Sequence, residues 1–262
     1  MLRYLRLLGI HLRASLLVAM QYRVEFVVQG FTALFWSAAT FVPLFIVYRQ
    51  RASVAGWTFG EALVVLAFFL LLKSVLEGAV NPSLLQVVEH IRQGTLDFVL
   101  LKPADAQFLV STAKFDPSAL AGTFGSFGLF TWAFVELGRA PSPQGSAIAL
   151  LLLAAEVALL YSIWILVVSS AFYVVRVDNL SYLFTSVFDA ARWPSSVFRG
   201  ALHVVFTFVV PLALMTTYPA EALLGRFTWR DAAVSMAGAL LFAAIARLAW
   251  RGALAKYTSA SS

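Results

Sequence analysis

Residues 82–103, PSLLQVVEHIRQGTLDFVLLKP, form the longest polar-containing connector in a chain that otherwise alternates apolar runs with short links. The first half has helical periodicity. Leu84, Leu85, Val87, Val88 and Ile91 fall on one side, and Ser83, Gln86, Glu89, His90 and Gln93 on the other. Gly94 ends the predicted helix, and Thr95 to Pro103 runs on as an apolar tail carrying Asp97 and Lys102. A short amphipathic helix between two membrane spans lies at the interface and turns its polar face to water.

The bulk composition makes its neighbours membrane spans. The chain has 262 residues, 61% of them hydrophobic and 12% charged. A soluble domain carries about a quarter charged residues. Half that charge, with several runs near 20 apolar residues, predicts an integral membrane protein. In that setting the net charge of +6 is a matter of basic loops that set orientation, not of nucleic-acid binding. The absence of cysteine excludes disulfides, thiol catalysis and cysteine metal sites.

Upstream, residues 1–25 read as a basic amphipathic helix. Leu2, Leu5, Leu8, Leu12, Leu16 and Val18 alternate with Arg3, Arg6, His11, Arg13 and Gln21, which places the helix in the headgroup plane with its arginines toward anionic lipid. These spread arginines, with no compact apolar core or small-residue cleavage site, do not read as a cleavable signal. The first span is Phe26–Tyr48, with Pro43 placed to kink it, and the second is Ala62–Val80. Downstream of the connector, the third span is Pro117–Leu137. Its Gly122, Gly125 and Gly128 form a smooth face for close helix approach. The fourth, Ala147–Val175, is longer than a perpendicular helix of about 20 residues needs, which predicts tilt or an extension beyond the bilayer. The last is Asp231–Trp250.

Between the fourth and last spans the sequence admits two readings. In one, Ala201–Tyr218 is the fifth crossing and the residues before it form an interfacial helix. In the other, the crossing starts near Leu180, breaks at Pro194, and the rest re-enters the membrane from the far side, a path tolerated only when protein or a cavity covers it. Either way the fold class is all-α with six transmembrane helices, as a single domain over residues 1–262. Both termini then share a side with Arg3, Arg6, Arg13, Arg23, Arg92, Lys102, Lys114, Arg176, Arg247, Arg251 and Lys256; Arg49, Arg51, Arg139, Arg226 and Arg230 face the other. The positive-inside rule places both termini and the connector in the cytoplasm.

Four charges stand in or near apolar segments. Lys73 is expected roughly 16 Å into the second span, with Glu77 one turn further on the same face, and Glu156 roughly 14 Å into the fourth. Lys73 and Glu156 meet at one depth if their helices are neighbours, which offsets the cost of an unpaired charge. With Asp189 they are candidates for a transport path or gate; a buried structural ion pair is the alternative. There is no phosphate-binding Gly-rich loop ending in Lys-Ser/Thr, so the chain has no such device for ATP. No nucleophile-elbow or zinc-protease motif occurs, and His11, His90 and His203 lack metal-ligand spacing. Neither catalytic nor metal residues are therefore assigned. An intramembrane enzyme, or a standalone channel or scaffold built on Lys73, Glu77 and Glu156, is the competing reading.

A set of local motifs adds a resemblance. These are Gln21-Tyr22-Arg23, Ala55-Gly56-Trp57, Ile91-Arg92-Gln93-Gly94-Thr95-Leu96-Asp97 with Leu100-Leu101-Lys102-Pro103, Trp193-Pro194, the block from Tyr218 to Arg226, and Tyr257-Thr258-Ser259-Ala260. In their order and spacing the chain resembles the bacterial ABC-2-type permeases, specifically the small single-domain ABC-2-like subfamily, over nearly its whole length. Many relatives show Tyr in place of Trp193 and Ser in place of Thr258. The resemblance implies two permease subunits, identical or paired with a sister permease. It also implies two ATPase subunits on the cytoplasmic face of the bacterial inner membrane, which bind the ATP and Mg; this chain carries no cofactor. It makes residues 82–103 the coupling region, with Gln86, Glu89, His90, Arg92, Gln93, Gly94 and Asp97 as ATPase-facing candidates, and favours the re-entrant reading before the last span.

Overall fold

Hydrocarbon offers a backbone no hydrogen-bond partner, so an apolar run that crosses it must close its hydrogen bonds internally. A computed structural model describes residues 2–173, 184–206, 211 and 213–257. Among these residues five helical stretches are long and apolar enough to cross a membrane: Arg23–Gln50, Phe59–Gln93, Pro117–Glu136, Pro143–Ser170 and Trp229–Leu254. The protein is an all-α membrane protein.

Helix α1 (Leu2–Gln21) runs into α2 (Arg23–Gln50) with only Tyr22 between them. Helix α2 continues through Pro43. Ala55 and Gly56 follow in the left-handed region (φ +50° and +85°) and turn a two-residue antiparallel hairpin, β1 (Ser53–Val54) with β2 (Trp57–Thr58). The sequence reading had only a loop here. Positive φ at two successive residues is the backbone of a tight hairpin turn, and Gly tolerates it without a Cβ penalty. Thr58 then caps α3 (Phe59–Val75) in a reciprocal box with Glu61, whose carboxylate accepts from Thr58 N–H at 3.0 Å.

Helix α3 is the axis of the molecule. All of residues 60–70 are buried, and Leu63, Leu66, Phe69 and Leu72 are among the largest fully enclosed side chains. It does not end where the apolar run does. A π turn at Leu76–Val80 carries it into α4 (Asn81–Gln93), so the second span and the amphipathic helix form one helical unit. The separate connector helix expected from Pro82 is corrected accordingly. Pro82 sits in the first turn of α4, where a missing N–H costs nothing. The faces shift as well: Ser83 is buried and Leu85 is half exposed, because Ser83 Oγ both donates to Lys114 C=O (2.6 Å) and accepts from Lys114 N–H (3.0 Å).

Gly94 adopts φ +67° and Thr95 N–H reaches back to His90 C=O (2.9 Å), which closes α4 with a left-handed cap. Helices α5 (Asp97–Leu100) and α6 (Ala106–Ser111) follow. A 3-10 turn at Pro117–Ala119 leads into α7 (Leu120–Glu136). Helix α8 (Pro143–Ser170) is capped by Ser142 and starts four residues before the predicted span. The short α9 (Ala201–Val204) and α10 (Tyr218–Leu223) precede α11 (Trp229–Leu254). The expectations that rest on Arg176, Leu180 and residues 258–260, and the 207–210 and 212 part of the Ala201–Tyr218 crossing, lie outside the described residues.

Contacts define two ends. At the connector end, α1 lies along the 95–116 segment: His11 Nδ1 meets Thr112 Oγ1 (3.3 Å), Phe115 N–H donates to Ser15 Oγ (3.0 Å), and Tyr4 packs edge-on to Phe108. Residues 8, 11, 15 and 19 therefore face protein, leaving Leu5, Leu12 and Leu16 outward. At the hairpin end, Trp57 Nε1 donates to Ser196 Oγ (3.1 Å), and Arg226 pairs with Glu61 and stacks over the Trp57 ring. Ser196 and Arg226 thus lie at the same end. Between them, Thr216 Oγ1 donates to Ala191 C=O (2.9 Å) and Ser195 N–H to Thr217 Oγ1 (3.1 Å).

With lipid as apolar as leucine, helices gain little by hiding apolar side chains and associate where small residues permit close packing. Gly122 lies against Ser74 of α3 and Gly125 against Leu34 and Ser37 of α2, whereas Gly128 meets nothing. The predicted glycine face is therefore two-thirds used. The tightest approach to backbone is at Gly145, where a Cβ would stand 2.7 Å from Ala222 C=O. Gly145→Ala is expected to destabilise the fold by about 1–3 kcal/mol, and Gly128→Ala to be neutral or up to about 1 kcal/mol stabilising. Thermal unfolding of the two variants in detergent checks this; equal effects would refute the packing argument.

Candidate functional site

Three groups of residues stand along the α3–α4 unit. On α4, Leu85, Gln86, Glu89, Arg92 and Gln93 form one exposed stripe, and Ser83, Leu84, Val87 and Val88 are buried behind it. Glu89 and Gln93 are joined by a 2.5 Å hydrogen bond across one turn. Of the seven predicted docking residues, Gln86, Glu89, Arg92 and Gln93 share this stripe. His90 turns aside to Thr95 Oγ1 (2.8 Å) and Gly94 forms the cap. Asp97 opens α5, partly buried and within electrostatic reach of Tyr257.

The second group is a polar clamp that the sequence did not announce. Asp105 caps α6 by accepting from Phe108 N–H (3.0 Å) and takes two hydrogen bonds from Arg247 of α11, at 2.6 and 3.3 Å. The same guanidinium donates to Gln107 Oε1 (2.5 Å), whose amide donates to Tyr161 of α8 (3.1 Å). Tyr161 also shares a 2.7 Å hydrogen bond with Ser111, and Arg3 donates to the Pro103 carbonyl. Three helices distant in sequence, α1, α8 and α11, thus converge on the segment that follows α4. The Arg247 hydrogen bonds, helped by the α6 cap, hold the Asp105 carboxyl below the usual carboxylate range.

The third group lies deeper. Because α3 starts at Phe59, Lys73 is roughly 21 Å along it from the hairpin end at 1.5 Å per residue. Its ammonium is 3.9 Å from Glu77, inside the π turn, and 3.7 Å from Asp189. Asp189 also pairs with Arg192 (3.1 Å), and Lys73 and Arg192 both stack on the Phe69 ring. Two cations and two carboxylates balance, which lowers the cost of charge at this depth. Lys73 and Glu77 also line a cavity of about 460 Å³ with Gln29, Thr32, Ser37 and Asp116.

Glu156 does not join them. The predicted Lys73–Glu156 pairing is absent: Glu156 is fully buried where α8 packs on α11, with Ser235 as its polar neighbour and no hydrogen bond to either carboxyl oxygen among the described residues. Which face α8 turns to α3 is set by the packing of α8 against α11, and it turns Glu156 toward Ser235. Asp189 takes the vacant role as partner to Lys73, and Arg192 joins it because a 3-10 turn at Asp189–Arg192 puts the two side by side. Spacing three apart in a short charged turn was the available signal.

Two measurements check this geometry. Lys73→Asp places three carboxylates together and is expected to lower the thermal midpoint by about 5 °C, with Asp189→Lys in the same chain recovering at least half; no recovery in the swap removes the contact. For Asp105, a depressed pKa stabilises the fold above the unfolded value near 3.9 and that stability is lost as pH falls through the folded value. Asp105→Asn should therefore flatten the fall in thermal midpoint on acidification below about pH 4.

Comparison with known proteins bears on the whole chain. A family model described as ABC-2 family transporter protein matches residues 34–261. No curated protein and no solved structure matches. That match takes in four of the five apolar helices whole, most of the first, and all of the three groups except Arg3, Gln29 and Thr32, and the chain belongs to the ABC-2 transporter family, as a multi-pass permease component.

Proposed function

We propose that this chain is the membrane half of an ATP-driven exporter in the bacterial cytoplasmic membrane, working with two ATPase subunits and a second permease, identical or a sister. The ATPases bind ATP and Mg; this chain binds neither. Both termini and α4–α6 face the cytoplasm, the side favoured by the basic residues. The Pro194–Arg226 segment re-enters from outside, a reading supported by Ser196 and Arg226 both meeting the hairpin end.

The observation that carries this reading is the exposed Gln86–Glu89–Arg92–Gln93 stripe on a helix continuous with the buried span. A rigid helix seated in a groove on an ATPase transmits that subunit's motion as a rigid-body shift. Here the shift has one yielding point, the π turn at Leu76–Val80, a geometry often found where helices flex. Glu77 stands in that turn, so bending it alters the Lys73–Glu77–Asp189 contacts at the polar cavity. The charge cluster thereby serves as the gate, and the Asp105–Arg247 clamp carries the same motion to α11.

The test is to purify the chain with the ATPase that accompanies it. Arg92→Glu is expected to stay inserted while lowering ATPase retention about tenfold, a loss of roughly 1.4 kcal/mol, and hydrolysis in the remaining complex is expected to run uncoupled from transport. Undiminished retention together with wild-type coupling would falsify the docking role.

A further inference from the structure

Helices α3, α7 and α8 leave a groove of about 610 Å³ near the hairpin end that the charge cluster and the docking stripe do not use. Its walls are apolar, with Phe68, Phe127, Phe130 and Phe134 dominant, and no carboxylate lines it. One cation does: Arg139, in the turn after α7. Arg139 is exposed and makes no ion pair among the described residues. It spends one donor on Leu224 C=O (3.2 Å), leaving most of a guanidinium's five N–H groups for another acceptor.

The dimensions restrict the occupant. The groove runs inward from Arg139 to Phe127, ten residues below Leu137, the C-cap of α7, which is roughly 15 Å. That is the depth of one leaflet of a hydrocarbon core about 30 Å thick. A transmembrane helix from another chain would need the full thickness, whereas one acyl chain needs half. A lone arginine at the interfacial end, where a headgroup sits, matches an anionic phosphate. Phe127, Val135 and Leu150 are more than half exposed along this opening, so the groove is open sideways, toward lipid.

We propose that this groove holds an acyl chain of one anionic phospholipid from the leaflet at the hairpin end, with its phosphate on Arg139. The assignment does not depend on the ATPase or on which side of the membrane the hairpin lies. The whole chain is purified in detergent and incubated with equimolar phosphatidylglycerol and phosphatidylcholine, and retained lipid is counted by native mass spectrometry. The wild type is expected to keep one phosphatidylglycerol per chain with about fivefold preference, near the worth of a single cation at an anionic lipid. Arg139→Gln should abolish that preference and Arg139→Lys should preserve it. Thr131→Trp, which fills the groove from an exposed position, should remove both lipids. Equal retention of the two lipids by the wild type, or an undiminished preference in Arg139→Gln, overturns the proposal. So does retention in Thr131→Trp equal to the wild type.

Discussion

From residue 60 to residue 70, α3 has no side chain facing out; it then carries Lys73, and the π turn that follows carries Glu77. Both charges open onto the polar cavity beside α3, and the cost of holding them at this depth is lowered by carboxylate and cation partners. The 184–197 segment supplies them by folding against α3, with Asp189 between the two cations and Phe69 beneath both. The packing of residues 213–217 against that segment follows, because Thr216 and Thr217 satisfy its free backbone groups.

The rest of the membrane region obeys a weaker rule. Helix α2 presents Phe31, Phe35 and Trp36 outward, which hydrocarbon accepts and water would not. It touches α7 where Gly125 permits, and its hydroxyl-bearing residues Thr32 and Ser37 line the polar cavity, although each already donates to its own helix four residues back. The chain therefore keeps a polar lining beside α3 while its outer face stays apolar.

Outside the membrane region the connector end is tied by charge and hydrogen bonds. Arg247, Gln107, Tyr161 and Asp105 join α6 to α8 and α11, and α1 lies across the same segment. A motion applied to α4 meets a structured assembly and not a loose loop. The 95–116 segment is thus held to helices far from it in sequence, which its composition alone does not disclose.

Apolar run length and polarity alone located five of the six expected spans as long helices, the amphipathic character of the connector and the Gly94 cap, because each depends on residues near in sequence and on a solvent that excludes unpaired polar groups. Local pattern did not reveal the continuity of α3 with α4, since Pro82 reads as a boundary yet is harmless in a first helical turn. Nor did it assign partners. Whether Lys73 met Glu156 or Asp189, and whether Arg247 met Asp105, turned on how helices rotate about their axes. That rotation is set by small residues at contacts such as Gly145 on Ala222 and Gly122 on Ser74. Only the tertiary structure decides it, because one rotation of a helix leaves its periodicity unchanged while exchanging every neighbour it has.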